Sequence, residues 1–169
     1  MPISQLILPE FDQEMATTRK ILERVPEGKG DWKPHSKSMT LTRLAGHVAE
    51  LPGWGVMTLT QTELDFAPAG QAPYQPTLFT TRAETLKLFD EGVKSCRAAI
   101  AKASDADFQV MWTLKRAGQQ LMSMPRFTVL RSMVINHIIH HRAQLGVFLR
   151  LNDVAIPGSY GPSADEPRF

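Results

Sequence analysis

Three of the chain's five histidines, His137, His140 and His141, lie within five residues of one another in the tract Val134-Ile-Asn-His-Ile-Ile-His-His-Arg-Ala-Gln-Leu145. His137 and His141 are four residues apart, so on a helix their rings leave the same face, one turn above the other. Such a pair can grip a divalent metal ion. A third ligand is at hand in His47, which sits on the apolar face of an upstream helical segment. Three protein ligands with an open coordination position are typical of a catalytic zinc centre. With a single cysteine, Cys96, the chain can form neither an internal disulfide nor a thiolate zinc cluster. A bound metal must therefore rely on histidine and carboxylate. The competing reading is that each imidazole is an ordinary core histidine, which requires a separate buried hydrogen-bond partner for each ring. His140 also shares roughly a face with His137, but its angle puts it at the margin of the apolar stripe, where an interface role or a place behind the ligands suits it. His35 falls in a loop.

Other residues near these positions are weaker candidates. Glu50, one turn after His47, can orient a ligand or act as a base, or simply be solvated. Gln144 shares the arc of His137 and His141, whereas Arg142 does not, so Gln144 is the better candidate for holding a ligand in place. Trp54 can line a pocket or pack in the core. Cys96 lies on a buried stripe, which favours a structural thiol over a nucleophile. Tyr160 reaches the site only if the C-terminal tail folds back.

The elements that must position these groups are read from periodicity as an all-α chain of four helical segments. In the first, Phe11, Met15, Thr18, Leu22 and Val25 make one stripe that ends before Pro26, with Pro9 in a first turn or at a kink. The second runs from an N-cap at Thr40 to about Thr62, with Leu44, His47, Leu51, Trp54 and Thr58 on one face and a kink near Glu50 and Leu51 imposed by Pro52. The connector 66–76 is too rich in Pro and Gly to be helical. The third segment follows the capping-box pattern Thr81-Arg-Ala-Glu84 and carries Leu86, Phe89, Val93, Cys96 and Ile100. Residues 105–122 break the helical pattern and suggest a short hairpin or irregular excursion around Lys115-Arg-Ala-Gly118.

Pro125 suits the first turn of the last and longest helix, which runs to about Leu151. On it, Leu130, Val134, His137, His141, Gln144, Leu145 and Phe148 fall within about 100° of arc, with the two histidines near its centre. Ile135, Ile138 and Ile139 lie off that arc, so either the helix is central to a bundle or its back face meets a partner subunit. A homodimer is the simpler explanation. The tail from about 152 to 169 is extended and turn-rich.

Composition bounds the function. At 169 residues the chain is most simply one domain, 1–169, with 43% hydrophobic and 21% charged residues. A net charge of +2, with Lys and Arg scattered among nearly as many Asp and Glu, offers no basic stripe for nucleic acid. No apolar run approaches a membrane span, and the N-terminus lacks a signal pattern, so a cytoplasmic location is expected.

Three tracts carry a family resemblance: His47 with Ala49-Glu-Leu-Pro-Gly-Trp54, the segment His137-Ile-Ile-His-His-Arg-Ala-Gln-Leu145, and Tyr160-Gly-Pro-Ser-Ala-Asp-Glu166. Together with Asp31-Trp-Lys-Pro-His-Ser-Lys-Ser-Met-Thr40, their order along the chain resembles the DinB/YfiT-like superfamily of metalloenzymes. The resemblance implies an up-down-down-up four-helix bundle, often a homodimer, with nickel or zinc on three histidines. By motif position these are His47, His137 and His141, which removes His140 as a ligand. Characterised relatives include thiol-dependent transferases and an isomerase that use a small thiol such as bacillithiol or mycothiol. The expectation is a metal-dependent enzyme that activates a low-molecular-weight thiol for transfer to an electrophile. A hydrolase acting through bound water and a non-catalytic metal-binding or interaction bundle are the alternatives.

Overall fold

Thr40 shows how locally the first elements are set. Its hydroxyl accepts the Arg43 N–H at 3.2 Å and starts helix α2 (Leu41–Thr60), as the N-cap pattern requires. Before it, α1 (Ile3–Leu22) buries Ile7, Phe11, Met15, Thr18 and Leu22 on one stripe. The helix contains Pro9 instead of beginning there. Gln5 and Pro9 are both exposed, so the carbonyl that loses its amide partner lies on the solvent side. Pro52 is likewise carried inside α2 without ending it. Helix α3 (Arg82–Lys102) opens with the full capping box: the Thr81 hydroxyl accepts from Glu84 N–H, and the Glu84 carboxylate accepts from Thr81 N–H. The computed structural model describes residues 1–70, 72, 74–76, 78–79 and 81–167. Gln71 and Pro73 of the expected connector, and Arg168 and Phe169 of the expected tail, lie outside the described residues.

The all-α expectation is corrected by a three-stranded sheet. Strand β1 (Glu63–Asp65), the short helix α4 (Asp105–Gln109), and strands β2 (Met111–Arg116) and β3 (Gln119–Pro125) follow in chain order. β1 pairs parallel with β2, and β2 pairs antiparallel with β3, in the order β1-β2-β3. The excursion is thus a hairpin with an added strand, too short at three residues to show an alternating pattern. Its turn puts Ala117 at φ 50° and Gly118 at φ 76°, the left-handed pair of a type I′ turn. The Asp65 carboxylate accepts the N–H groups of Ala117 at 3.0 Å and Gly118 at 2.7 Å, which ties the hairpin tip to β1. Backbone donors lead the effects that lower the pKa of Asp65. Alanine is strained at positive φ, and asparagine tolerates it. Ala117→Asn is expected to stabilise the protein by about 0.5–1 kcal/mol, read as a raised denaturation midpoint with an unchanged slope.

Pro125 caps the last helix from just outside its first turn. That helix has three parts: α5 (Arg126–Val129), a π turn (Leu130–Ile135) and α6 (Asn136–Arg150). Side-chain contacts fix the helix directions. Gly92 faces Pro52 and Cys96 faces Gly55, so α2 and α3 run parallel. Arg19 pairs with Asp90 and Arg97 with Asp12, so α1 and α3 run antiparallel. His47 meets His137 while Gly55 meets Leu130 and Val134, so the last helix opposes α2. The Arg131–Glu10 and Arg142–Glu14 pairs set it parallel to α1. A Cβ added at Gly55 would stand 2.4 Å from Cys96 Sγ, so the α2–α3 approach needs glycine there.

The back face of the last helix needs no partner subunit. Ile135 and Ile138 are 0% exposed, and Ile139 packs against the same core. The buried face is centred on Ile138, Arg142, Leu145 and Leu149, because the helix is wedged between α1 and α2. The tail folds back, with Val154 and Ile156 against the core. Asp165 bonds Arg150 and the Ile156 N–H, while the Glu166 carboxylate accepts from Gly158 and Ser163 N–H. Among the described residues, no helix is long and apolar enough to cross a membrane.

Candidate metal centre

His47 is set by its register on α2, between the buried Leu44 and Leu51, which turns its ring toward the last helix. There His137 and His141 occupy the flank of the buried face and not its centre, with Ile138 and Leu145 deeper. His137 is half-buried and His141 is 9% exposed. The three rings converge. His137 Nε2 stands 3.4 Å from His47 Nε2 and 2.9 Å from His141 Nε2. One nitrogen from each ring can be chosen so that all lie within 4.8 Å of one another. Imidazole nitrogens that share an ion at about 2.0–2.1 Å each stand about 3 Å apart.

The opposite nitrogens show how protons are distributed. His141 Nδ1–H donates to Gln144 Oε1 at 2.7 Å, and His137 Nδ1–H donates to the Met133 carbonyl at 3.3 Å. Both partners are pure acceptors, so each neutral ring keeps its proton on Nδ1 and presents an Nε2 lone pair. The 2.9 Å contact between His137 and His141 is then one lone pair against another, an arrangement that a cation satisfies and a hydrogen bond does not. Burial first, then the neighbouring histidines, pushes the His141 pKa down to about 4 and lowers that of His137, so both rings are neutral near pH 7. This donor set fits a divalent transition metal. Tethering the far nitrogen to an oxygen is the usual means of fixing a ligand imidazole.

Glu50 and Gln144 both stand behind the cluster. Glu50 Oε2 is 3.8 Å from His47 Nδ1 and accepts from Arg43 Nη1 at 3.2 Å, and the Tyr74 phenol bonds the same carboxylate. Its side chain is 9% exposed, so it is not simply solvated. Gln144→Leu is expected to weaken metal binding by about 10–100-fold while leaving the fold intact, measured by competition with a chromophoric chelator.

The remaining sequence candidates fall elsewhere. His140 is exposed and outside the cluster, although its ring lies 4.8 Å from that of His141. His35 is exposed, and its Nδ1 accepts the Lys37 N–H. Cys96 is 0% exposed, and burial raises its thiol to about 12, the state of an inert core thiol. Trp54 packs against the core and lines a cavity of about 230 Å³ with Met57, Leu64, Phe66 and Tyr74.

Tyr160 is brought back by the tail, but not to the histidines. Its hydroxyl donates to Glu14 and accepts from Arg142 Nη2 at 2.8 Å. Arg142 and Glu14 form an ion pair of 2.7 Å with side chains only 3% and 6% exposed. Sequence reasoning missed this group. Its signal was two opposite charges on apolar stripes: Glu14 between Phe11 and Thr18, and Arg142 between Ile138 and Leu145.

The DinB superfamily model matches residues 10–145. The chain is 27% identical over 159 residues to the uncharacterized protein YrdA of Bacillus subtilis strain 168, covering 94% of this chain and 89% of that one. Its fold is similar to a DinB-like protein from Bacillus cereus ATCC 10987, with a TM-score of 0.68, 20% identity, and coverage of 94% of this chain and 98% of the other. It is also similar to the DinB-like protein YjoA of Bacillus subtilis, with a TM-score of 0.67, 15% identity, and coverage of 91% and 96%. With most of its length matched, and its histidines brought together from two helices, the chain belongs to the DinB superfamily.

Proposed function

We propose that this chain is a metal-dependent enzyme in which His47, His137 and His141 hold a nickel or zinc ion and the substrates include a low-molecular-weight thiol and an electrophile. The observation that carries this reading is the convergence of three Nε2 atoms while Nδ1 of His137 and His141 is engaged by oxygen acceptors. Bound there, the ion would supply Lewis acidity and lower the pKa of a thiol toward neutrality. The protein's own groups do the positioning. Gln144 holds the His141 ring, the Met133 carbonyl holds His137, and Glu50, itself held by Arg43, faces Nδ1 of His47. His141 and Gln144 also form part of the wall of an open cavity, so a substrate held there would lie beside one of the three histidines.

The test is a thiol-depletion assay on zinc- or nickel-loaded protein with a panel of electrophiles. Thiol loss matched one to one by adduct supports the transferase. Turnover without thiol loss would assign a hydrolase built on the same three residues. No turnover with a firmly bound, non-exchanging ion would assign a structural metal.

A further inference from the structure

We infer that the cavity beside His141 receives a neutral, apolar portion of the substrate, which makes the electrophile an apolar molecule and places the polar thiol elsewhere. This rests on the proposed function above and names its substrate class. The cavity measures about 340 Å³, within the range of small-molecule sites. Leu44 of α2, Val147 and Phe148 of α6, and Met39 from the loop before α2 supply the apolar part of its lining. Phe148 is held from behind by Trp32, edge-on at a ring separation of 5.5 Å. Among the described residues, the polar lining is confined to His141, Gln144 and Ser38. No Lys, Arg, Asp or Glu among the described residues lines it. A charged group entering this space would lose hydration without gaining a counter-charge, whereas an alkyl or aryl group gains by leaving water. Val147 and Met39 are 59% and 39% exposed, apolar side chains left partly in water at the cavity wall. Gln144 spends its carbonyl on His141, so its amide N–H groups remain as donors for a neutral polar atom of the substrate.

Three ligands with the same metal-binding head separate the pocket from the metal. Isothermal titration of zinc-loaded protein would compare acetohydroxamic acid, octanohydroxamic acid and suberic monohydroxamic acid, whose chain ends in a carboxylate. Octanohydroxamate is expected to bind at least about tenfold more tightly than acetohydroxamate, since each buried methylene contributes a factor of about four. The terminal carboxylate should cancel most of that gain. Val147→Asp and Met39→Asp should each reduce the gain and leave acetohydroxamate unchanged. An octyl chain that binds no better than the acetyl head, or a carboxylate-ended chain that binds as well as the methyl-ended one, overturns the pocket assignment and leaves the metal reading standing. If the protein takes up no zinc, the metal reading fails by itself. The pocket is then read on metal-free protein titrated with 1-octanol: saturable shifts of the Leu44 and Val147 methyl resonances uphold it, and their absence overturns it.

Discussion

His137→Ala is expected to weaken zinc or nickel binding by at least about a hundredfold, because it removes the imidazole whose Nε2 stands 3.4 Å from that of His47 and 2.9 Å from that of His141. The same substitution should cost the metal-free protein no more than about 1 kcal/mol. His137 is only half-buried, and removing it relieves a contact between lone pairs. The two effects can be read from one pair of denaturation series. In chelator, wild type and variant should unfold at similar midpoints. At a metal concentration of about 100 times the wild-type Kd, the wild type should gain about 2.7 kcal/mol and the variant almost nothing. Equal losses in both series would show that His137 is a packing residue and no ligand. The protein for these measurements must carry no histidine tag.

Arg142→Ala should produce the largest loss of stability, about 3–5 kcal/mol, by leaving Glu14 as an uncompensated buried charge. Arg142 also donates to the Glu14 carbonyl, the Thr18 hydroxyl and the Tyr160 hydroxyl. One substitution therefore unpartners groups on α1 and the tail together. Removing both charges with Arg142→Met and Glu14→Leu should recover most of the loss, since two apolar side chains leave no buried charge behind. Tyr160→Phe should cost about 1–2 kcal/mol, the loss of its hydroxyl contacts alone. Denaturant unfolding of the single and double variants gives the coupling directly. A cost for Arg142→Ala below about 1 kcal/mol would mean that the pair is open to water.

The histidine cluster was legible because it depends on local arithmetic. Residues four apart on a helix must share a face, and a histidine between Leu44 and Leu51 on an apolar stripe must turn inward. Gln144 was legible on the same grounds, and Thr40 and the Thr81–Glu84 box announced their helices through hydrogen bonds within a single turn. What was not legible depends on partners far along the chain. The π turn at Leu130–Ile135 reads in sequence as an ordinary apolar helix, yet it contains Met133, whose carbonyl holds His137. Strand β1 is formed by pairing with residues 50 positions later and secured by Asp65 reaching the hairpin tip. The apolar back face of the last helix suggested a second subunit because periodicity counts apolar residues without saying what covers them. Here Ile135 and Ile138 are buried in the chain's own core, where the last helix packs against α1 and α2. Tyr160 was a candidate for the histidine site only on the condition that the tail folds back. It does fold back, but it lands on the Arg142–Glu14 pair, the stronger partner for a phenol.

The central claim, that three imidazoles from two helices form one metal site, is tested most directly by titrating tag-free, chelator-treated protein with zinc and nickel, alongside a His47→Ala variant. His47 is the decisive position because it comes from the other helix. Saturable uptake of about one ion per chain, lost or weakened at least about a hundredfold in His47→Ala, is the predicted result. No uptake by the wild type, or uptake unchanged by the substitution, would contradict it.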